Sequence, residues 1–132
     1  MFVDRLLNQG TGPVLEEWLK FTDNRAGLLA EDVVNASTPG YIQKDLSVDA
    51  FQKALAARQQ QTDTAAPGTV DFSDIPMDQT NPSGLVFHDG NNRSMEQLMA
   101  DQAKNALMHN LAIELLRRQF ATLTMALTEK PQ

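Results

Sequence analysis

The sequence predicts an all-α fold: long N- and C-terminal amphipathic helices pairing as a coiled-coil-like hairpin, with a short third helix and an irregular, mobile middle segment. Three observations carry this. Hydrophobic residues make up 42% of the 132-residue chain but aromatic residues only 6%, and Leu, Ala and Met favour helix over sheet. Apolar residues recur at steps of three and four near both ends. Between the ends, proline, glycine and asparagine cluster among few apolar residues. The length is that of one domain. It divides into an N-terminal arm (1–12), a first helical unit (13–60), a middle segment (61–93) and a C-terminal long helix (94–132).

In the arm, Phe2, Leu6 and Leu7 suggest a small apolar face. The first helix is expected over residues 13–35. Pro13 suits a first helical position, and Glu16 and Glu17 in the opening turn complement the positive end of the helix dipole. Leu15, Trp18 or Leu19, Thr22, Ala26, Leu29 and Val33 form one stripe, with Glu16, Lys20, Asp23 and Glu31 largely elsewhere. Gly27 weakens the helix by about 1 kcal/mol relative to alanine.

The helix stops at Asn35, where the chain reads NASTPGY to Tyr41. Pro39 disfavours helix at Thr38. A Pro-Gly pair suits the centre of a type II turn, whose second position needs positive φ. Thr38, Pro39, Gly40 and Tyr41 therefore form a tight turn leading into an extended stretch. A shorter helix follows over 48–60 with Ser47 as its N-cap.

The middle segment carries Pro67-Gly68, Ile75-Pro76 and Asn81-Pro82, with short apolar runs only at 70–72 and 85–87. So long an irregular stretch is unusual inside a compact domain. It is expected to be mobile, or ordered only by neighbours in an assembly.

The C-terminal helix is the strongest signal. Ser94 with Gln97 three residues on suits a capping box, and no Gly or Pro follows until Pro131. Such a helix is about 50 Å long. Ile113, Leu116, Phe120, Leu123 and Leu127 alternate steps of three and four, the pattern of a coiled-coil seam. Leu107, Met108, Leu111, Ala112 and Leu115 broaden it. So wide a face needs the first helix, further copies of the chain, or both.

Chemistry-bearing constellations are missing. The charge of −6 opposes nucleic-acid binding, and the Arg117-Arg118 pair reads as a solvated helix face. His88 and His109 have no metal-ligand spacing around them, and His109, at a seam position, reads as a packing or interfacial residue. Glu16-Glu17 and Asp71/Asp74 read as solvated acids. No phosphate loop accompanies Gly10 and Gly12. The expectation is no enzyme, no cofactor, no metal, no nucleic acid and no small-molecule substrate. The N-terminus lacks the pattern of a cleaved signal peptide, and no run approaches the length of a membrane span. The lack of cysteine fits a protein that crosses a membrane unfolded.

The stretch LAEDVVNASTPGY, from Leu29 to Tyr41, resembles the N-terminal signature of flagellar axial proteins, A-N-N-[ILV]-A-N-x-x-T-P-G-Y. Asn35, Thr38, Pro39, Gly40 and Tyr41 match in register, whereas Glu31, Asp32 and Val34 depart from it. The short chain and its C-terminal half resemble the flagellar basal-body rod protein family, proximal rod proteins of the FlgB type. The C-terminal likeness lies in Asp89-Gly-Asn-Asn, Met95-Glu, Met99-Ala, Asn105-Ala-Leu and the run from Leu115 to Phe120, with Arg93-Ser94 replacing the usual Val-Asp pair. The resemblance covers residues 25–60 and 85–127.

It implies a structural subunit that polymerises through its terminal helices into the proximal drive shaft. Implied partners are the chain itself, other rod subunits, proteins at the membrane-ring and export-gate junction, and the flagellar type III export apparatus. Implied packing residues are Trp18, Leu29, Val33, Leu111, Ile113, Leu115, Leu116, Phe120, Leu123 and Leu127. The implied location is the periplasmic rod of the basal body, reached without a cleaved signal peptide. The alternatives are another small axial or rod protein, a type III secretion-linked adaptor, or a small acidic helical domain.

Overall fold

The computed structural model describes residues 10–80 and 94–128. The apolar face at Phe2, Leu6 and Leu7, the run at 85–87, His88 and the stretch 89–93 lie outside those residues. The described chain is mostly helical, with α1 at Gly12–Val34, α2 at Val48–Thr64 and α3 at Met95–Thr128. A two-residue strand β1, Asp45–Leu46, pairs antiparallel with β2, Gln79–Thr80.

The helix ends follow local chemistry. Pro13 occupies the first turn of α1, where its missing N–H costs nothing. Because α1 opens at Gly12, Glu16 and Glu17 fall beyond the first turn, and the expected dipole contribution shrinks accordingly. Ser47 caps α2, its hydroxyl accepting from the Ala50 N–H at 3.1 Å, and Ser94 accepts likewise from Gln97 N–H at 3.2 Å. Helix α2 runs about one turn past its predicted end.

Helix α1 has two partners. Its first flank faces a small core of Phe21, Leu46, Phe51, Leu55, Phe72 and Ile75. Phe21 and Phe51 stack with centroids 4.2 Å apart, and Trp18 meets both edge-on at 5.9 and 5.0 Å. Each such buried ring contributes up to about 3 kcal/mol. The described part of the middle segment has little regular structure, yet Val70, Phe72, Ile75 and Met77 pack into this core. Phe72 and Ile75, in a stretch whose pattern predicts no core residue, are both buried there.

Beneath the core, Arg25 of α1 grips Asp45 of β1 bidentately, with Nε and Nη2 donating at 2.8 and 2.9 Å. Both residues are buried. Glu17, expected on a solvated face, is buried too and accepts from Lys20 Nζ at 2.6 Å. Helix α1 turns that side toward the chain around residues 68–73, not toward water.

The second flank of α1 packs on α3, and the two long terminal helices run antiparallel, with Thr11 opposite Gln119 and Thr22 opposite Asn105 and His109. Leu29, Leu98, Asn105 and Ala112 are buried in this contact zone.

A candidate assembly surface at the turn and the helix pair

The turn after α1 is built by its own side chains. The Asn35 amide donates from Nδ2 to the Glu31 carbonyl at 2.9 Å, closing the last helical turn. Thr38 N–H donates to the Asn35 carbonyl at 2.9 Å, and Tyr41 N–H to the Thr38 carbonyl at 3.3 Å. Gly40 has φ +75°, which a type II turn requires at that position and which a side chain would strain. Asn35, Thr38, Pro39, Gly40 and Tyr41 thus come together as one unit, with Thr38, Pro39 and Gly40 exposed at its tip.

Asp32, which the sequence marked only as a departure from the axial signature, anchors this unit. Its buried carboxylate accepts from the Tyr41 hydroxyl and from the Lys44 N–H, both at 3.1 Å onto Oδ1. The segment after the turn is therefore tied back onto α1. Burial, with the hydrogen bond to the Asp32 carboxylate next in weight, pushes the Tyr41 phenol up from 10.0 to about 12.

The sign follows. A phenol kept neutral in the folded state adds stability that is complete below pH about 10 and disappears as pH rises toward 12. Tyr41 is the only tyrosine, so phenolate absorbance reads it alone. The expected midpoint in the folded protein is near 12, and Asp32→Asn should lower it. A wild-type midpoint at the ordinary value would contradict the anchor.

The α1–α3 contact has a polar layer. Asn105 Nδ2 donates to the Thr22 carbonyl at 2.8 Å, and Thr22 Oγ1 lies 2.8 Å from His109 Nδ1. The Thr22 hydroxyl also lies 2.9 Å from the Trp18 carbonyl. It has one proton, so when it donates to that carbonyl, His109 Nδ1–H donates to it. Asn105 Oδ1 is buried with no partner among the described residues. Such a layer costs stability but penalises other registers of the two helices. His109 thus bridges the helices through a hydrogen bond at the position expected for a packing residue.

The long apolar residues of α3 sit around this layer and largely outside it. Leu111, Leu115, Phe120 and Leu127 are 60%, 42%, 44% and 73% exposed. Ile113, Leu116 and Leu123 are half-buried, as are Trp18 and Val33 of α1, while Leu29 is buried. An apolar groove of about 180 Å³ opens between the helices, lined by Leu15, Trp18, Met108, Leu111, Ala112 and Leu115.

Asp71 accepts from the Ser73 N–H at 2.8 Å, which holds its carboxyl below the usual value, and Asp74 accepts from Arg58 at 2.6 Å. Among the described residues no group of three or more His, Cys, Asp or Glu is placed to hold a metal ion. No described helix is long and apolar enough to cross a membrane. The chain matches no protein-family model, and no curated protein matches it.

Proposed function

We propose that this chain is a structural subunit of the bacterial flagellar basal-body rod, a proximal rod protein that polymerises through its terminal helices and passes torque along them. The observation that carries the reading is the Asn35 to Tyr41 turn closing a long N-terminal helix that packs on a long C-terminal one. The exposed leucines of α3 support it, because an apolar face left open in the single chain drives association when covered, at about 25 cal/mol per Å².

In this reading α1 and α3 act as a coiled-coil-like hairpin, and neighbours order the middle segment on assembly. The partners are further copies, other rod subunits, the proteins at the membrane-ring and export-gate junction, and the flagellar type III export apparatus. The site of action is the periplasmic rod. Deleting the gene in its own bacterium should abolish swimming, and supplying it in trans should restore it. A deletion strain that swims normally would reject the reading.

A further inference from the structure

We infer that residues 70–77 form a strap over the aromatic core that opens while the α1–α3 pair stays closed, with the buried carboxylate of Glu17 favouring release. Closed, the strap masks Trp18, Phe21 and Phe51 in the single chain. This device is independent of any flagellar role.

The strap begins at a turn set by local chemistry. Thr69 N–H donates to the Ala66 carbonyl at 3.2 Å, and Gly68 has φ +75°, the backbone that a Pro-Gly pair favours. The turn sends the chain from the end of α2 back toward α1. At the far end, Ser47 N–H donates to the Asp78 carbonyl at 3.1 Å, and Gln79–Thr80 pairs with β1.

Between these two pins the segment is held by side chains alone. Among the described residues, no backbone group of residues 70–77 makes a hydrogen bond to another element. Phe72 and Ile75 are the buried anchors, with Val70 and Met77 packed beside them. The polar ties are slight. Asp74 accepts from Arg58 at 2.6 Å, but both side chains reach solvent, and screening leaves such a contact little weight. Asn24 donates to the Met77 sulfur at 3.1 Å, a weak acceptor. A helix gains a ladder of bonds for the conformational freedom it loses, whereas the strap loses that freedom without one.

Its seat is also imperfect. A cavity of about 340 Å³ lies between residues 68–73 and Pro13, Glu16, Glu17 and Lys20 of α1. Glu17 lines it with 3% of its surface exposed. Lys20 Nζ meets the carboxylate at 2.6 Å, yet the lysine side chain is itself exposed. A carboxylate kept from water costs stability, and an open strap returns it to water. Closure therefore gains from burying Phe72 and Ile75 and loses by covering Glu17. The α1–α3 contact lacks this weakness, because both helices carry their own backbone bonds and Asn105 and His109 tie it to Thr22. The strap opens first.

Native-state proteolysis of the purified full chain tests this. Chymotrypsin cuts after aromatic residues in extended chain, so it reaches buried Phe72 only in the open strap. With fast opening and closing, the rate reports the open population. The first cuts at Phe72 and Phe21 are assigned by mass at several urea concentrations below the unfolding transition. Phe72 should be cut at least about tenfold faster than Phe21. Its rate should also depend less on urea, because opening exposes little surface. Glu17→Gln removes the buried charge and should slow the cut at Phe72 severalfold, leaving that at Phe21 unchanged.

Equal rates and urea slopes at the two sites would mean that the segment leaves only when the whole chain unfolds, and would overturn the proposal. A Phe72 rate as high as in a free peptide of residues 64–80 would overturn it too, since such a strap never closes. A Glu17→Gln chain cut at Phe72 as fast as wild type would overturn the part given to the carboxylate.

Discussion

Replacing Arg25 with alanine is expected to cost about 3–5 kcal/mol, because it leaves the Asp45 carboxylate buried without its guanidinium. The pair sits between α1 and β1, so the loss should loosen the strand pairing with Gln79–Thr80 as well. A domain of this size holds only about 5–15 kcal/mol in total, so the urea midpoint should fall steeply. Trp18, the one tryptophan, reports the transition by fluorescence. Lys53→Ala serves as the control. It removes an ion pair to Asp49 in which both side chains are exposed, and solvent screening leaves such pairs little weight. Equal midpoints for the two variants would show that the buried pair is not a support of the fold.

Phe21→Ala should cost a similar amount, about 3–5 kcal/mol, by a different route. Phe21 is fully buried, stacks on Phe51 and meets Trp18 edge-on. Its removal opens a cavity that three surrounding elements cannot all close. The Trp18 emission of the folded variant should shift to the red as water reaches the indole. Phe21→Leu, which refills much of the space, should recover part of the loss. A Phe21→Ala midpoint within experimental error of wild type would contradict the placement of the core.

The three helices were legible in the sequence because their punctuation is local. Pro13, the Pro39-Gly40 turn, Ser47 and Ser94 each act on the backbone within a few residues. The faces those helices bury were less legible. Helix α1 serves two partners, so a single stripe through Leu15, Thr22 and Leu29 caught the α3 side and missed Phe21 on the other. Glu17 reads as solvated from that single stripe for the same reason.

On α3, periodicity selected the largest apolar residues, Ile113, Leu116, Phe120, Leu123 and Leu127. The contact with α1 instead centres on Leu98, Asn105, His109 and Ala112, where Ala112 is small and Asn105 and His109 reach the Thr22 carbonyl and hydroxyl. Nothing in the local pattern of α3 announces Thr22. The Arg25–Asp45 pair spans 20 residues and joins α1 to a strand of two residues, which no spacing rule reaches. Asp32 was visible only as a mismatch within a signature. Its role lies in the bonds it accepts from the Tyr41 hydroxyl and the Lys44 N–H, which only the folded chain brings to it.

The turn is the more informative half of the candidate surface. Asn35, Thr38 and Gly40 make bonds or adopt angles tied to their identity. The exposed leucines of α3 indicate only that something covers them.

Electron microscopy of cell envelopes from a strain lacking this gene tests the central claim most directly. The account predicts membrane rings without rod, hook or filament, all of which return on complementation. Intact flagella in that strain would contradict it and leave a small acidic helical protein whose open α3 face serves another partner.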